Sequence, residues 1–461
     1  MPLPPGFVER LGNIFAGASL SIDLAERLTY GYDNSRIEAS ADAVVFPVEH
    51  DQVVALVVAC RERCVPLTAR GRGTNTTGAT VPIAGGVIVS FERMRRIVNI
   101  NTDNRTAVVE PGVLNADLQT ALAPLGFFWP PDPSSASFCT IGGNLACNAA
   151  GPRAVKYGSA RENTLGLRAV AGTGEEFRSG FCTSKGAMGY DLTRLLIGAE
   201  GTLALITEAT LKLTPLPSAK RTMRATFSDI HNAASAVARI MAQPVTPCAL
   251  EFLDDEALRL ARLHAGSVIP QAGAMLLIEV DGEPESLPFS CAAIENAARG
   301  PGLLDWHEAA DAQETAQLWI ARKALSPALR NIAPMKINED VVVPVSRLPE
   351  LIVGLRGISD KYSIPIVNFG HAGNGNIHVN LLYRPEDPQQ ASNAPDCLSA
   401  VFDLVLSLDG ILSGEHGIGM AKREFLPRAL DPVSLDLMHR IKAQFDPQGI
   451  LNPDKLLPAR I

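Results

Sequence analysis

The chain has 461 residues, with 41 Lys+Arg against 49 Asp+Glu for a formal charge of −8, and 46% apolar and 20% charged residues. That length predicts two to four domains with ample core, and the composition excludes a disordered protein. An acidic balance without Lys/Arg blocks excludes nucleic acid and anionic membrane surfaces as main partners, and no apolar stretch approaches the roughly 18 residues that cross a bilayer.

The opening Met1-Pro2-Leu3-Pro4-Pro5-Gly6 has neither a basic n-region nor an apolar h-region, so no secretory signal and a cytoplasmic location are expected. Eight cysteines without a Cys-x-x-Cys pair are expected to be reduced. Residues 1–40 read as short amphipathic helices. Val44-Val45-Phe46 then reads as a strand, Glu49 to Cys64 as a helix, Pro66 to Ala69 as a strand, and Gly71 to Gly78 as a glycine and threonine loop. Short β-rich runs follow to Pro111, then a helix over Leu114–Leu122, a loop rich in Pro, Ser, Gly and Asn over 129–164, and β-rich segments up to Pro215-Leu216-Pro217, which reads as a boundary. Beyond it, helix and strand signals alternate in the manner of an α+β domain with helices on one face of an antiparallel sheet. The tail reads as a helix from Leu435 and then a turn-rich segment through Asn452 to Lys455.

Arg70-Gly71-Arg72-Gly73-Thr74-Asn75-Thr76-Thr77-Gly78 follows a strand, where glycines let backbone N–H groups approach a phosphate. It is not a Rossmann fingerprint, because Thr76 stands where the third glycine belongs and no helix follows; it is not a Walker loop, because Ala79 replaces the lysine. A tight turn is the competing reading. The second loop, with Pro130-Pro131-Asp132-Pro133-Ser134 and Thr140-Ile141-Gly142-Gly143-Asn144 through Asn148 to Gly151, is too long for a plain connector, and two such loops suit one long cofactor.

With Pro111-Gly112, Tyr157-Gly158 and Glu200-Gly201-Thr202-Leu203, these motifs resemble the FAD-binding domain of the vanillyl-alcohol oxidase / p-cresol methylhydroxylase superfamily over roughly residues 38–217. The resemblance implies an FAD site drawn from Arg70, Gly71, Arg72, Gly73, Thr74, Asn75, Thr76, Pro111, Gly112, Pro131, Asp132, Ser134, Thr140, Gly142, Gly143, Asn144, Asn148, Gly151, Tyr157, Gly158, Glu200, Gly201, Ile206 and Asn452. Some members bind flavin covalently through His or Cys of the first loop; here that loop has neither, so FAD is expected to be non-covalent, with Cys139 and Cys147 of the second loop as the remaining thiols.

Two glycine-flanked loops, Gly370-His371-Ala372-Gly373-Asn374-Gly375-Asn376-Ile377-His378-Val379-Asn380 and Gly414-Glu415-His416-Gly417-Ile418-Gly419, hold three of the eight histidines. His378 and Asn380 share a strand face, and the Gly373/Gly375 turn can bring His371 to the same side. Two imidazoles and a carboxylate suit a divalent metal that polarises a substrate oxygen. The pattern resembles the C-terminal FAD-linked oxidase domain of D-lactate, D-2-hydroxyglutarate and glycolate dehydrogenases. That resemblance implies His371, His378 and Glu415 as metal ligands, with zinc expected, and Asn380, His416, Arg322, Ser326 and Lys336 around the substrate. The position two before Asp340, basic in the dicarboxylate-oxidising members, is Asn338 here, with Lys336 two further back.

The expected fold is thus α+β, a two-part FAD-binding domain of the p-cresol methylhydroxylase type plus an α+β cap with an antiparallel sheet and a C-terminal helical return. The expected division is 1–217 (core 38–217), 218–420 for substrate and metal, and 421–461 packing back on the FAD domain. The expected activity is hydride transfer from C2 of a D-2-hydroxy acid, D-lactate or D-2-hydroxyglutarate, to flavin, with His416 as base and Arg322 gripping the carboxylate. The electron acceptor would be an electron-transfer protein, a cytochrome or a quinone, and a homodimer is compatible. Two rivals stay open: a non-catalytic flavoprotein subunit that passes electrons within a multi-subunit glycolate oxidase, which would not need Glu415-His416, and a flavin-free metal hydrolase, which leaves 66–158 unexplained.

Overall fold

The computed structural model describes residues 3–265, 269–323, 325–329 and 332–460. The chain forms two compact units: Met1–Ala150 with Gly158–Leu216 and Glu415–Ile461, and Gly151–Tyr157 with Pro217–Gly414. The chain thus changes unit four times, after Ala150, Tyr157, Leu216 and Gly414. Residues 151–157 join the second unit, and the last return to the first begins at Glu415.

The first unit contains two main sheets. In one, Ala43–Val45, Val87–Ser90 and Leu67–Arg70 are parallel neighbours in that order, with Leu20–Ser21 antiparallel on the edge. The long connection His50–Arg63 is helical because Val53, Leu56, Val57 and Cys60 recur on one face, and that face is buried with Val45, Leu67 and Val87. Near the chain end, Leu67 N donates to Ile450 O and Asn452 N donates to Leu67 O, both at 2.7 Å, so the tail completes the Leu67 edge. The second sheet is antiparallel, in the order Ile97–Asn101, Thr106–Val109, Ala204–Lys212, Thr164–Ala171, Glu176–Gly180. Its core surrounds the fully buried Trp129, whose indole N–H donates to Asn163 O at 2.9 Å.

The stretch 129–164, expected to be irregular, contains the helices Ile141–Cys147 and Ala154–Tyr157. Thr140 caps the first by accepting from Gly143 N at 3.2 Å, and Asn148 ends it in the left-handed region at φ 53°. Caps and the buried Ile141 and Leu145 override the poor helix propensity of Gly142 and Gly143.

The second unit is built on a seven-stranded sheet in the order Leu303–Glu308, Ala219–Phe227, Ala274–Gly282, Ala249–Asp254, Ile366–Gly370, Asn376–Tyr383, Met335–Val342. Every neighbouring pair is antiparallel, as expected. Register puts Glu279 opposite Ala249, Leu253 opposite Phe369, Phe369 opposite His378, His378 opposite Asp340 and Asn380 opposite Asn338. With the two-residue period, Glu251, Glu279, His378, Asn380, Asp340 and Asn338 therefore share one face. The alternates Phe252, Leu276, Ile278, Val379 and Leu381 are apolar and buried, and the helices Ile230–Ala242, Leu287–Ala298, Leu348–Tyr362 and Pro388–Ser407 pack along the sheet. The helices Asp255–Ala265 and Leu325–Ala328 add a second group on the polar-bearing face, where Leu258, Ala261 and Leu325 cover Leu253, Met275 and Phe369. Helices on one face only was the expectation; apolar side chains on the second face also require cover. Among the described residues, no helix is long and apolar enough to cross a membrane.

Candidate functional site

In the first unit, Gly71 to Thr76 leaves the end of the Leu67–Arg70 strand, with Gly73 at φ 67°. No backbone N–H from Gly71 to Thr76 donates to another group of the described protein, and the buried Thr76 hydroxyl has no partner there. A row of donors at a strand end fits the oxygens of a pyrophosphate. A Cβ on Gly71 would lie 2.5 Å from Thr140 Oγ1, and one on Gly142 would lie 2.6 Å from Pro111, so these glycines allow the loops to meet.

Several side chains expected at the cofactor instead hold the loops. Arg70 donates to Tyr32 O at 2.6 Å and stacks over Tyr30. The Asn75 carbonyl accepts from Thr77 N and Thr77 Oγ1, both at 2.8 Å, and its amide donates to His416 O at 2.8 Å. Asn144 bonds Asn115 and Cys139, and Asn148 accepts from Ser159 Oγ and Arg161 N. Asn452 donates to Ala79 O at 2.9 Å and Glu200 O at 2.7 Å. Gly151 and Tyr157 belong to the second unit, where the Tyr157 hydroxyl donates to Asp281 Oδ2 at 2.8 Å and Lys156 pairs with the same carboxylate. Ser134 lies exposed in a turn, while Pro111, Pro131 and Gly112 are buried.

Glu200 is buried at φ 52°, and its carboxyl accepts from Ile418 N at 2.6 Å and Gly419 N at 2.8 Å. Gly417 needs its φ of 82° and its lack of a side chain, because a Cβ there would lie 2.5 Å from Glu200 Oε1. Together with Asn75, Glu200 thus anchors the segment that carries Glu415 and His416. Burial pushes the Glu200 carboxyl up to about 7, against the pull of the two N–H groups and of Lys422 and Lys455. Burial likewise raises the thiols, Cys147 to about 12 and Cys139 in the same direction.

In the second unit, the turn at Ala372–Asn374 with Gly375 at φ 72° brings His371 back over His378, with ring centroids 5.1 Å apart. His371 Nδ1 lies 2.5 Å from Glu251 Oε1, and Arg322 Nε donates to Glu251 Oε2 at 2.6 Å. Burial would raise the Glu251 carboxyl, but the charges of His371 and Arg322, with their hydrogen bonds, hold it at about 2. The Arg322 guanidinium also lies 4.7 Å from the Phe369 ring centroid. Its helix, Ala312–Lys323, is tied to the sheet by Trp319 Nε1, which donates to Glu279 Oε1 at 2.7 Å. With Nε engaged, the Nη1/Nη2 edge is the part of Arg322 suited to a carboxylate.

Asp340 is fully buried, accepts from Asn376 Nδ2 at 2.6 Å and lies 3.8 Å from His378 Nδ1. It also fixes Gly414, whose N–H donates to Asp340 Oδ2 at 2.9 Å while Ile411 and Val342 exchange backbone bonds. The next residue is Glu415. His371 and His378 of the second unit are candidate imidazole ligands, and Glu415 and His416, which open the last stretch of the first unit, are a candidate carboxylate and a further imidazole. Two imidazoles and a carboxylate fit a divalent cation.

Asn380 is buried, donates to Val367 O and His378 O at 3.1 Å, and accepts from Asn338 Nδ2 at 3.0 Å. Lys336 lies on the same strand face as Asn338, opposite Leu382. The Ser326 side chain lies outside the described residues. Sequence reading missed Glu251 and Asp340 as site residues. The only signal for Glu251 is a carboxylate inside the apolar run Ala249–Leu253.

A family model described as FAD linked oxidases, C-terminal domain, matches residues 216–456, and one described as FAD binding domain matches 41–180. The glycolate oxidase subunit GlcD of Bacillus subtilis (strain 168) is 38% identical over 434 residues, covering 94% of this chain and 92% of that protein. The D-lactate dehydrogenase of Anaerostipes hadrus is 32% identical, covering 91% and 90%. Among solved structures, p-cresol methylhydroxylase with substrate bound superposes with a TM-score of 0.83 at 17% identity, covering 99% of this chain and 98% of that one. An alkyldihydroxyacetonephosphate synthase superposes at 0.75 and 20% identity, covering 98% and 85%. At these identities the superpositions establish the fold.

Proposed function

Because this chain belongs to the FAD linked oxidases, we propose that it is the flavin-carrying, substrate-oxidising subunit of a glycolate oxidase type assembly and acts on a small 2-hydroxy acid. The observation that carries the reading is Arg322, oriented by Glu251 beside His371, so that a carboxylate grip stands next to candidate metal ligands. FAD, when bound, supplies an acceptor for a hydride. The backbone N–H row from Gly71 to Thr76 would hold its pyrophosphate. His371, His378 and Glu415 would hold a divalent cation, zinc in our reading, which lowers the cost of negative charge on the substrate hydroxyl. Arg322 Nη1 and Nη2 bind and orient the carboxylate, and an imidazole nitrogen of His416 takes the hydroxyl proton.

The relatives' names favour glycolate and a multi-subunit setting over a stand-alone enzyme. A second reading, a D-lactate or D-2-hydroxyglutarate dehydrogenase acting alone, is supported by the D-lactate dehydrogenase relatives and by Lys336 on the Asn338/Asn380 face. In either reading an external electron acceptor reoxidises the flavin. The test is anaerobic mixing of the purified, metal-replete protein with glycolate, D-lactate, L-lactate and D-2-hydroxyglutarate while the flavin absorbance is followed. Rapid bleaching by glycolate is expected. Bleaching by D-2-hydroxyglutarate alone would favour the second reading, and bleaching by none of the acids would refute both.

A further inference from the structure

Glu251 is the one carboxylate in the Ala249–Asp254 strand that has both oxygens committed to groups of opposite function. Its Oε1 lies 2.5 Å from His371 Nδ1 and its Oε2 accepts from Arg322 Nε at 2.6 Å, with the carboxylate fully buried. A carboxylate out of water must be paired, so these contacts are constraints on geometry as well as attractions. A proton on His371 Nδ1 directed at Glu251 places the imidazole lone pair on Nε2, the arrangement in which a carboxylate fixes the tautomer of a metal-binding histidine. The same carboxylate, by occupying Arg322 Nε, leaves the Nη1/Nη2 edge for the substrate.

Resting on the reading above, we propose that Glu251 is a positioning residue that couples the two halves of the site: it selects the metal-binding tautomer of His371 and the gripping edge of Arg322. All three residues lie in the second unit and reach one another from the Ala249–Asp254 strand, the Ala312–Lys323 helix and the turn before the Asn376–Tyr383 strand. An amide at 251 has one acceptor and one donor end. If its oxygen stays with Arg322, its NH2 faces His371 Nδ1 and favours the other tautomer, with the proton on Nε2 where a metal would bind.

The test is Zn2+ affinity of the flavin-loaded protein, measured by competition with a chromophoric chelator, alongside steady-state kinetics. Glu251→Gln is expected to weaken Zn2+ binding about 10–100-fold at parental flavin content. Arg322→Met, which leaves the Glu251–His371 contact in place, is expected to keep Zn2+ affinity within about threefold while KM for the 2-hydroxy acid rises at least tenfold. Parental Zn2+ affinity in Glu251→Gln overturns the proposal. Should that variant not fold, Glu251→Asp, which keeps the charge but withdraws it by one methylene, is expected to weaken Zn2+ at least about fivefold, and parental affinity there overturns the proposal equally. A parent protein that binds no Zn2+ refutes the metal reading itself, and this coupling with it.

Discussion

Replacing Glu200 by glutamine tests how the Glu415–Gly419 segment is held. The Glu200 carboxyl is buried and has an ordinary value of 4.5 raised to about 7. The folded protein therefore retains a proton that the unfolded chain releases, so this group's contribution is most favourable below pH 4.5 and is lost as the pH rises to about 7. At about 1.4 kcal/mol for each pH unit between the unfolded and folded values, the loss totals about 3 kcal/mol. Most of it falls between pH 5 and pH 8. Ile418 N donates to Oε1 and Gly419 N to Oε2, so a glutamine NH2 leaves one of these buried N–H groups without an acceptor, and Glu200→Gln should be less stable than the parent at pH 5 by about 1–3 kcal/mol. The variant does not titrate, so between pH 5 and pH 8 it should gain on the parent by about 2–3 kcal/mol. For a unit of this size that is roughly 5–10 °C in the temperature at which flavin is released. Flavin fluorescence during a thermal ramp at the two pH values reads this directly. Lys455, depressed to about 8 chiefly by burial, changes little over the same window in the parent. Parallel pH profiles for parent and variant would show that Glu200 is ionised in the fold and that the reasoning is wrong.

Acid denaturation should release all FAD into the supernatant, because the first loop has no nucleophile and burial disfavours the thiolates of Cys139 and Cys147; flavin retained on the precipitated chain would contradict this. Asn452→Ala removes donors to the backbone carbonyls of Ala79 and Glu200, at about 1–3 kcal/mol for each buried group left unsatisfied. Its flavin-release temperature should drop by several degrees, and an unchanged value would remove Asn452 from the list of anchors. Lys336→Ala should lower kcat/KM for D-2-hydroxyglutarate at least about tenfold more than for D-lactate if the ammonium reads a second carboxylate, a charge-assisted contact; equal effects on the two acids would exclude that role. His416→Ala should cost about 10²–10⁴-fold in turnover at normal flavin content, and a smaller loss would point to another base.

The glycine-rich loops, the antiparallel cap sheet and the paired histidine motifs were legible in the sequence because each depends on local pattern: turn residues, a two-residue period, or a ligand spacing. Glu251 was not. Its partners Arg322 and His371 lie 71 and 120 residues away, and only strand register brings them together. The side chains of Arg70, Asn75, Asn144 and Asn452 sit in cofactor-type motifs yet bond the protein's own backbone and side chains, a distinction that motif position does not encode. The helix Ile141–Cys147 was hidden for a related reason: its stability comes from the Thr140 cap and from burial of Ile141 and Leu145 rather than from its composition.

The flavin-binding unit is assembled from three separate stretches of chain, and the last supplies the Leu451 bridge to Leu67, the Asn452 amide and the Lys455 ammonium that donates to Val81 O at 2.6 Å. On a ribosome, the strands Leu67–Arg70 and Val87–Ser90 emerge long before those partners exist. The whole second unit can fold in the interval, since its strands and helices are nearly contiguous. The unit that sequence order places first is thus the one that must finish last, with the Leu67 edge lacking its Ile450–Asn452 partners in the meantime.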